Sequence, residues 1–340
     1  MGVLWSFVRY SGTIHRQSRP PEPVFSVNHV PDLTGRVILV TGGNDGIGKE
    51  TIRALLEHNA KVYMASRDQK KAEAAIEELK DKTGKEALFL KLDLASLASV
   101  RQAASQFLSL ERELHVLYNN AGVSNTPIDW LTDDGYDMTF GTNIVGHFLL
   151  TQLLMPALQT GKITSPDHYA RVIWLSSFAQ YLSPLDFDAF KDTPQRRRTG
   201  SDIMYCQSKL ASVMLAREYA RRYGEQGIVA LSVNPGTYLA CSARGHIHEH
   251  SYATGNIYTG ILRHASKVNL AFTKLFIKRY PVEYGALTQL WAGTMPEALT
   301  HNGEYVVPWA RIADRARSEA YDDQICARLW DWLENEVKEN

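Results

Sequence analysis

The strongest constraint on the fold is an alternation between short apolar runs and amphipathic stretches of helical length. From residue 33 onward the chain reads RVILVTGG, GKETIRALLEHNA, KVYMAS, QKKAEAAIEELKDKTG and ALFLKLDL. A short run that is apolar throughout and is followed by a 3.6-period stretch marks a strand covered on both faces. The pattern continues through SVRQAASQFLSL, LHVLYNNAG, TNIVGHFLLTQLLMPAL, RVIWLSS, CQSKLASVMLAREYARRYG and IVALSVNPG, and GEYVVP reads as a last strand.

These repeated βαβ units predict an α/β fold, a doubly wound parallel sheet of Rossmann type. The 340 residues fit one domain with a large core. Residues 1–33, with Pro20, Pro21, Pro23 and Pro31, read as an extended N-terminal arm. Residues 34–312 form the dinucleotide-binding catalytic domain, with a substrate lid over the less regular stretch 237–281, and residues 313–340 read as a helical tail.

Equal numbers of basic and acidic residues, 37 each, give no surface-wide field to recruit nucleic acid. Cys206, Cys241 and Cys326 form no CxxC pair, which suits a reducing compartment. No apolar run approaches the roughly 20 residues that span a bilayer, and MGVLWSFVRY is too short for a signal-peptide core. The expectation is a cytoplasmic protein without a transmembrane segment. Met1, Gly2 and Ser6 match a loose myristoylation pattern, followed by Arg9, Arg16 and Arg19; chance explains so short a match.

At the end of the first run stand Thr41-Gly42-Gly43-Asn44-Asp45-Gly46-Ile47-Gly48 and then a helix. Glycines let the backbone turn sharply and approach a pyrophosphate, whose charge meets the helix N-terminus. Gly43, Gly48 and Lys49 also fit GxxxxGK, but Glu50 stands where a nucleotide hydrolase needs Ser or Thr to hold magnesium. The second strand ends Ala65-Ser66-Arg67, with Lys70 and Lys71 following. A neutral residue beside Arg suits a 2′-phosphate, so NADP is favoured over NAD, with Asp68 as the argument for NAD.

Tyr205 and Lys209 are spaced i, i+4 and share one helix face. A phenol of pKa about 10 needs help to exchange a proton near neutrality, and a neighbouring ammonium supplies it. Ser177 follows a buried strand, where hydroxyls can face the crevice of an open sheet, and Asn143 sits early in an apolar helix.

Taken in order, TGGNDGIG, Leu92-Asp93-Leu94, Asn119-Asn120-Ala121-Gly122, Asn143, Ser177, Tyr205 with Lys209, and Asn234-Pro235-Gly236 resemble the short-chain dehydrogenase/reductase family over about residues 33–310. The resemblance implies that Tyr205 transfers the proton, Ser177 steadies the carbonyl, Lys209 holds the nicotinamide ribose and lowers the Tyr205 pKa, and Asn143 anchors a relay water. It also implies a cofactor site of Gly42, Asn44, Gly46, Ile47, Gly48, Arg67, Asp93, Asn120, Ala121, Gly122, Tyr205, Lys209, Pro235 and Gly236, holding NADP (NADPH). Ala240 departs from the pattern, since the family usually has Thr there to bond the carboxamide.

The extended arm, the ASRD turn and the insertion before YCQSK are most similar to retinol-dehydrogenase-like branches and to fungal members that modify secondary metabolites. That likeness implies a bulky apolar carbonyl or alcohol substrate. Tyr252, Ile257, Tyr258, Ile261, Leu262, Leu270, Phe272, Leu275 and Phe276 are candidate pocket residues, with packing of the lid on the core as their alternative role. Oligomeric state is left open, a homodimer included. The alternative is a catalytically silent nucleotide-binding regulator on the same fold. An epimerase or dehydratase is disfavoured by NNAG and Arg67.

No metal is expected. His246, His248 and His250 resemble a ligand string, but no further cluster supports them. Arg196-Arg197-Arg198 reads as a solvated loop rather than an anion site. Cys206 reads as helix packing, with alkylation sensitivity as its functional alternative, and His147 as a satisfied core histidine.

Overall fold

The computed structural model describes residues 2–236, 238–239 and 280–339. Strand β1 (Val37–Thr41) is buried along its whole length. Val37 and Leu39 pack into one apolar cluster, and Ile38 and Val40 into another. The two-residue alternation of the strand therefore runs between two cores, which is why its sequence is apolar throughout. The same division holds in β2 (Lys61–Ser66), where Tyr63 and Ala65 join the first cluster and Val62 and Met64 the second.

The further strands are β3 (Leu88–Lys91), β4 (Val116–Asn119), β5 (Ala170–Leu175), β6 (Ile228–Val233), β7 (Tyr238–Leu239), β8 (Tyr280–Pro281), β9 (Tyr305–Val307) and β10 (Arg311–Ile312). Eight of them form one sheet in the order β10-β9-β6-β5-β4-β1-β2-β3. Every pairing in that sheet is parallel except β10 on β9. Strand order reverses between β1 and β4, which opens a crevice at the carboxyl ends of the strands. β7 and β8 form a separate parallel ladder.

The helices are α1 (Gly2–Ser18), α2 (Gly46–Glu57), α3 (Gln69–Thr83), α4 (Leu97–Leu110), α5 (Met138–Phe140), α6 (Gly146–Thr164), α7 (Pro194–Thr199), α8 (Ser201–Tyr223), α9 (Val282–Thr294) and α10 (Asp323–Glu339). One face of the sheet carries α4, α6, α8 and α10, and the other α2, α3 and α9. A π-helical segment, Gly141–Val145, joins α5 to α6. Among the described residues no helix is long and apolar enough to cross a membrane.

The structure differs from the sequence expectation at the N-terminal arm, where residues 2–18 are helical instead of extended. Ser6, Ile14 and Gln17 are buried and Tyr10 packs against the core. These residues recur at helical spacing, but three of the four carry polar atoms, so no hydrophobic period marks the helix. The chain becomes irregular only where the prolines begin, after Ser18. In α10, Leu329, Trp330 and Leu333 are fully buried in the first core.

Most of the expected lid falls outside the described residues. So do Ala240, with Thr237 and Ser242 that could take over its carboxamide contact, Cys241, the His246, His248 and His250 string, and the apolar pocket candidates Tyr252 to Phe276.

Candidate active site

The crevice begins where β1 ends. Gly42 adopts φ +66°, and a Cβ there would lie 3.0 Å from Ala121. At Gly48 a Cβ would lie 2.5 Å from the Gly42 carbonyl and 2.6 Å from Asn120 Nδ2. Glycine is required at both positions for α2 and the β4 loop to close on the strand end. Gly42, Asn44, Ile47 and Gly48 line the cleft, with Gly46 behind them as the first residue of α2. Lys49 points away and pairs with Glu78 at 2.8 Å, so it takes no part in a phosphate loop.

Thr41 joins β1 to the Asn119–Gly122 segment. Its hydroxyl accepts from the backbone N–H of Asn120 and of Ala121, each at 2.9 Å. Asn120 Nδ2 donates to the Thr41 carbonyl at 2.7 Å. These bonds hold Asn120, Ala121 and Gly122 in the cleft wall, and the sequence offered no separate signal for Thr41.

Arg67 and Asp93 line the far end of the cleft, with their side chains 4.0 Å apart. Lys71 joins them there. Ser66 is buried and lines the same end, and its hydroxyl has no hydrogen-bond partner. Asp68, the residue that argued for NAD, is engaged as the N-cap of α3, where it accepts from Lys71 N.

Ser177, Tyr205 and Lys209 meet at the other end. Burial raises the Tyr205 phenol above its ordinary pKa, and the nearby Ser177 hydroxyl offsets only part of the rise. Lys209, for which the resemblance implied a lowering role, has its Nζ 5.5 Å from the centre of the Tyr205 ring and donates to the Leu175 carbonyl at 2.7 Å. Burial lowers Lys209 itself to about 7, because desolvation disfavours its charge. Pro235 and Gly236 complete the wall, and Met138, Thr142 and Val123 line it as well, which the sequence did not single out.

Asn143 does not line the cleft. It lies in the π-helical segment, and both hydrogens of its amide are used, donating to Val123 O and Ser208 Oγ at 3.0 Å each. Its Oδ1 accepts from Val123 N at 2.8 Å. The side chain is thus a brace between the β4 loop and α8. His147 is a satisfied core histidine, held between Asn143 O and Thr41 Oγ1, and burial lowers it to about 4.

The arginine run divides. It lies in the helix α7 rather than in a loop; Arg197 is exposed, but Arg196 is fully buried against Asp137. The polarity of the run concealed this, because only the folded chain brings a buried arginine its carboxylate partner. Cys206 is buried, and burial pushes its thiol up to about 12, as suits a packing role.

The model of the short chain dehydrogenase family matches residues 36–183. A short-chain dehydrogenase/reductase of Armillaria gallica is 48% identical over 339 residues, covering 100% of both chains. This chain belongs to the short-chain dehydrogenase/reductase family. Human retinol dehydrogenase 11 is 35% identical to it over 307 residues, covering 88% of this chain and 85% of that one. The crystal structure of an uncharacterized protein from Mycobacterium paratuberculosis superposes with a TM-score of 0.68 at 28% identity, covering 92% of this chain and 97% of that one. As a short-chain dehydrogenase/reductase, the protein is an oxidoreductase acting on alcohol and carbonyl groups.

Proposed function

We propose that this enzyme uses NADP(H) to interconvert a carbonyl and an alcohol on a bulky apolar small molecule, with Tyr205 as the general acid and base. The observation that carries the reading is the convergence of Ser177, Tyr205 and Lys209 on one cleft that continues to Arg67. Separated charges and hydroxyls along one groove suit a long dinucleotide with a carbonyl at one end.

The residues present fit a 2′-phosphorylated dinucleotide. Gly42 and Gly48 leave a backbone cradle at the N-terminus of α2, Ser66 with its unpartnered hydroxyl lines the adenine end, and Arg67 and Lys71 supply positive charge there. When bound, the nicotinamide supplies or accepts the hydride. Asp93 would stand near the adenine, and Asn120, Ala121, Gly122, Pro235 and Gly236 would wall the remainder.

Tyr205 exchanges the proton with the substrate oxygen, and Ser177 donates a second hydrogen bond to that oxygen. A phenol raised by burial is protonated at neutral pH, the form that serves carbonyl reduction. Lys209, fixed by the Leu175 carbonyl, faces Gly122 and the ribose position. Asn143 acts by holding Val123 and Ser208. Val123, Met138 and Leu175 give the described part of the substrate wall an apolar character.

The test is titration of NADPH and NADH into wild type and Arg67→Asp, followed by nicotinamide absorbance with a panel of apolar carbonyls. NADPH preference lost in Arg67→Asp, with turnover abolished by Tyr205→Phe, is the expected result. Failure of wild type to bind either nucleotide would overturn the reading, and turnover confined to small polar sugars would overturn the substrate class.

A further inference from the structure

α1 lies before the segment that the family model matches, residues 36–183, yet it reaches the cleft wall through one side chain. Gln17 is 7% exposed. Its Nε2 donates to the Tyr181 hydroxyl at 3.1 Å, and its Oε1 accepts from Asn234 Nδ2 at 2.9 Å. Asn234 Oδ1 in turn accepts from Gly236 N at 3.0 Å. Gly236 and Pro235 line the cleft.

The direction of every bond in this chain is fixed by its far end. Tyr181 donates its single proton to the Arg315 carbonyl at 2.7 Å, so towards Gln17 it can only accept. Gln17 must therefore present its amide nitrogen to Tyr181 and its oxygen to Asn234. Asn234 must present its nitrogen to Gln17, which leaves its oxygen for Gly236. The Tyr305 hydroxyl, 3.4 Å from Gln17 Oε1, adds a second donor to the same oxygen.

The turn so held stands beside the reacting groups. Val233 is in register with Leu175, so residues 234–236 leave the sheet next to Ser176 and Ser177. Arg67 follows β2, across β4 and β1 from that point. Gly236 adopts φ +82°, a conformation open to glycine, and a Cβ there would lie 3.1 Å from Pro308.

We propose that Gln17 is a positioning residue for the hydride-transfer half of the site. By fixing the polarity of Asn234 it holds Gly236 and so shapes the wall against which the nicotinamide rests. The inference rests on the NADP(H) reading above, and it makes α1 part of the catalytic unit.

The test compares Gln17→Leu, Tyr181→Phe and Ile14→Ala with wild type. Ile14→Ala loosens α1 in the core without touching the hydrogen-bond chain and serves as the structural control. The readouts are kcat/KM for NADPH, the unfolding midpoint, and affinity for adenosine 2′,5′-bisphosphate, which occupies only the adenine half. Gln17→Leu is expected to lower kcat/KM about tenfold, and Tyr181→Phe less, with bisphosphate affinity within about twofold of wild type. Ile14→Ala is expected to lower the midpoint while keeping kcat/KM.

Unchanged kinetics in Gln17→Leu would overturn the proposal. So would an equal loss of bisphosphate affinity, or the same kinetic loss in Ile14→Ala, since either marks a merely structural role. If Gln17→Leu does not fold, Tyr181→Phe decides, because it keeps Gln17 and removes the hydroxyl that sets its direction, together with that hydroxyl's bond to the Arg315 carbonyl. A wild type that binds no NADPH would overturn the cofactor reading and this proposal together, an outcome distinct from wild-type turnover to which Gln17 is indifferent.

Discussion

The guanidinium of Arg196 lies 3.3 Å from the carboxylate of Asp137, with side-chain exposures of 0% and 3%. Asp137 caps α5 by accepting from Thr139 N and Phe140 N, and Arg196 Nη2 also donates to the Trp130 carbonyl at 3.2 Å. The pair therefore ties the segment before α8 to the loop that leads into Met138 and Thr142 of the cleft.

Arg196→Met leaves a buried carboxylate unpaired and is expected to cost about 3–5 kcal/mol in denaturant unfolding. Arg197→Ala, at an exposed position, should stay within about 0.5 kcal/mol of wild type. Burial raises the Asp137 pKa despite Arg196. A carboxyl whose folded pKa exceeds its unfolded value favours the fold when protonated, so stability falls as pH rises through the folded value. The loss in Arg196→Met should accordingly be smaller at pH about 5 than at pH about 8. Equal losses at both would contradict an unpaired Asp137.

Lys209 is a buried ammonium lowered to about 7 by desolvation. Between that value and its ordinary one the unfolded chain holds the proton more tightly, so the folded protein gains stability as pH rises across the window. Lys209→Met should raise the unfolding midpoint of the protein without nucleotide, and more at pH about 6 than at pH about 9. Turnover should fall by about a hundredfold or more. A lower midpoint would show that the bond to Leu175 outweighs desolvation.

With its thiol pushed up to about 12, Cys206 is almost wholly protonated at neutral pH. Cys326 is buried and pushed up to about 12 as well. Iodoacetamide applied to the native protein at pH about 7.5 should leave both unmodified by peptide mapping, and should label both after unfolding. Rapid labelling of native Cys206 would contradict the packing around Tyr205.

Gly48→Ala would push a methyl group into the Gly42 carbonyl and the Asn120 amide. Since one contact is backbone, the expected cost is about 1–3 kcal/mol of stability, together with loss of NADPH binding by fluorescence titration. Normal binding would show that the β1 turn has room to shift.

The sequence itself determined the alternation of strands and helices, the glycine turn after β1, and the shared face of Tyr205 and Lys209. All three follow from local rules: period, backbone freedom and helical spacing. It also placed Arg67 beside Ser66, because adjacent residues at a strand end share one rim. The helical nature of residues 2–18 was not legible, since the face it buries carries Ser6, Tyr10 and Gln17.

Tertiary structure alone decided what those polar groups meet. Arg196 is buried because Asp137, 59 positions earlier, waits for it. Asn143 is a brace because Val123 and Ser208 take its amide, and Gln17 reaches the cleft because Asn234, 217 positions away, turns its amide towards α1. A side chain's type fixes how many hydrogen bonds it must make once buried, whereas only the packed chain fixes with whom.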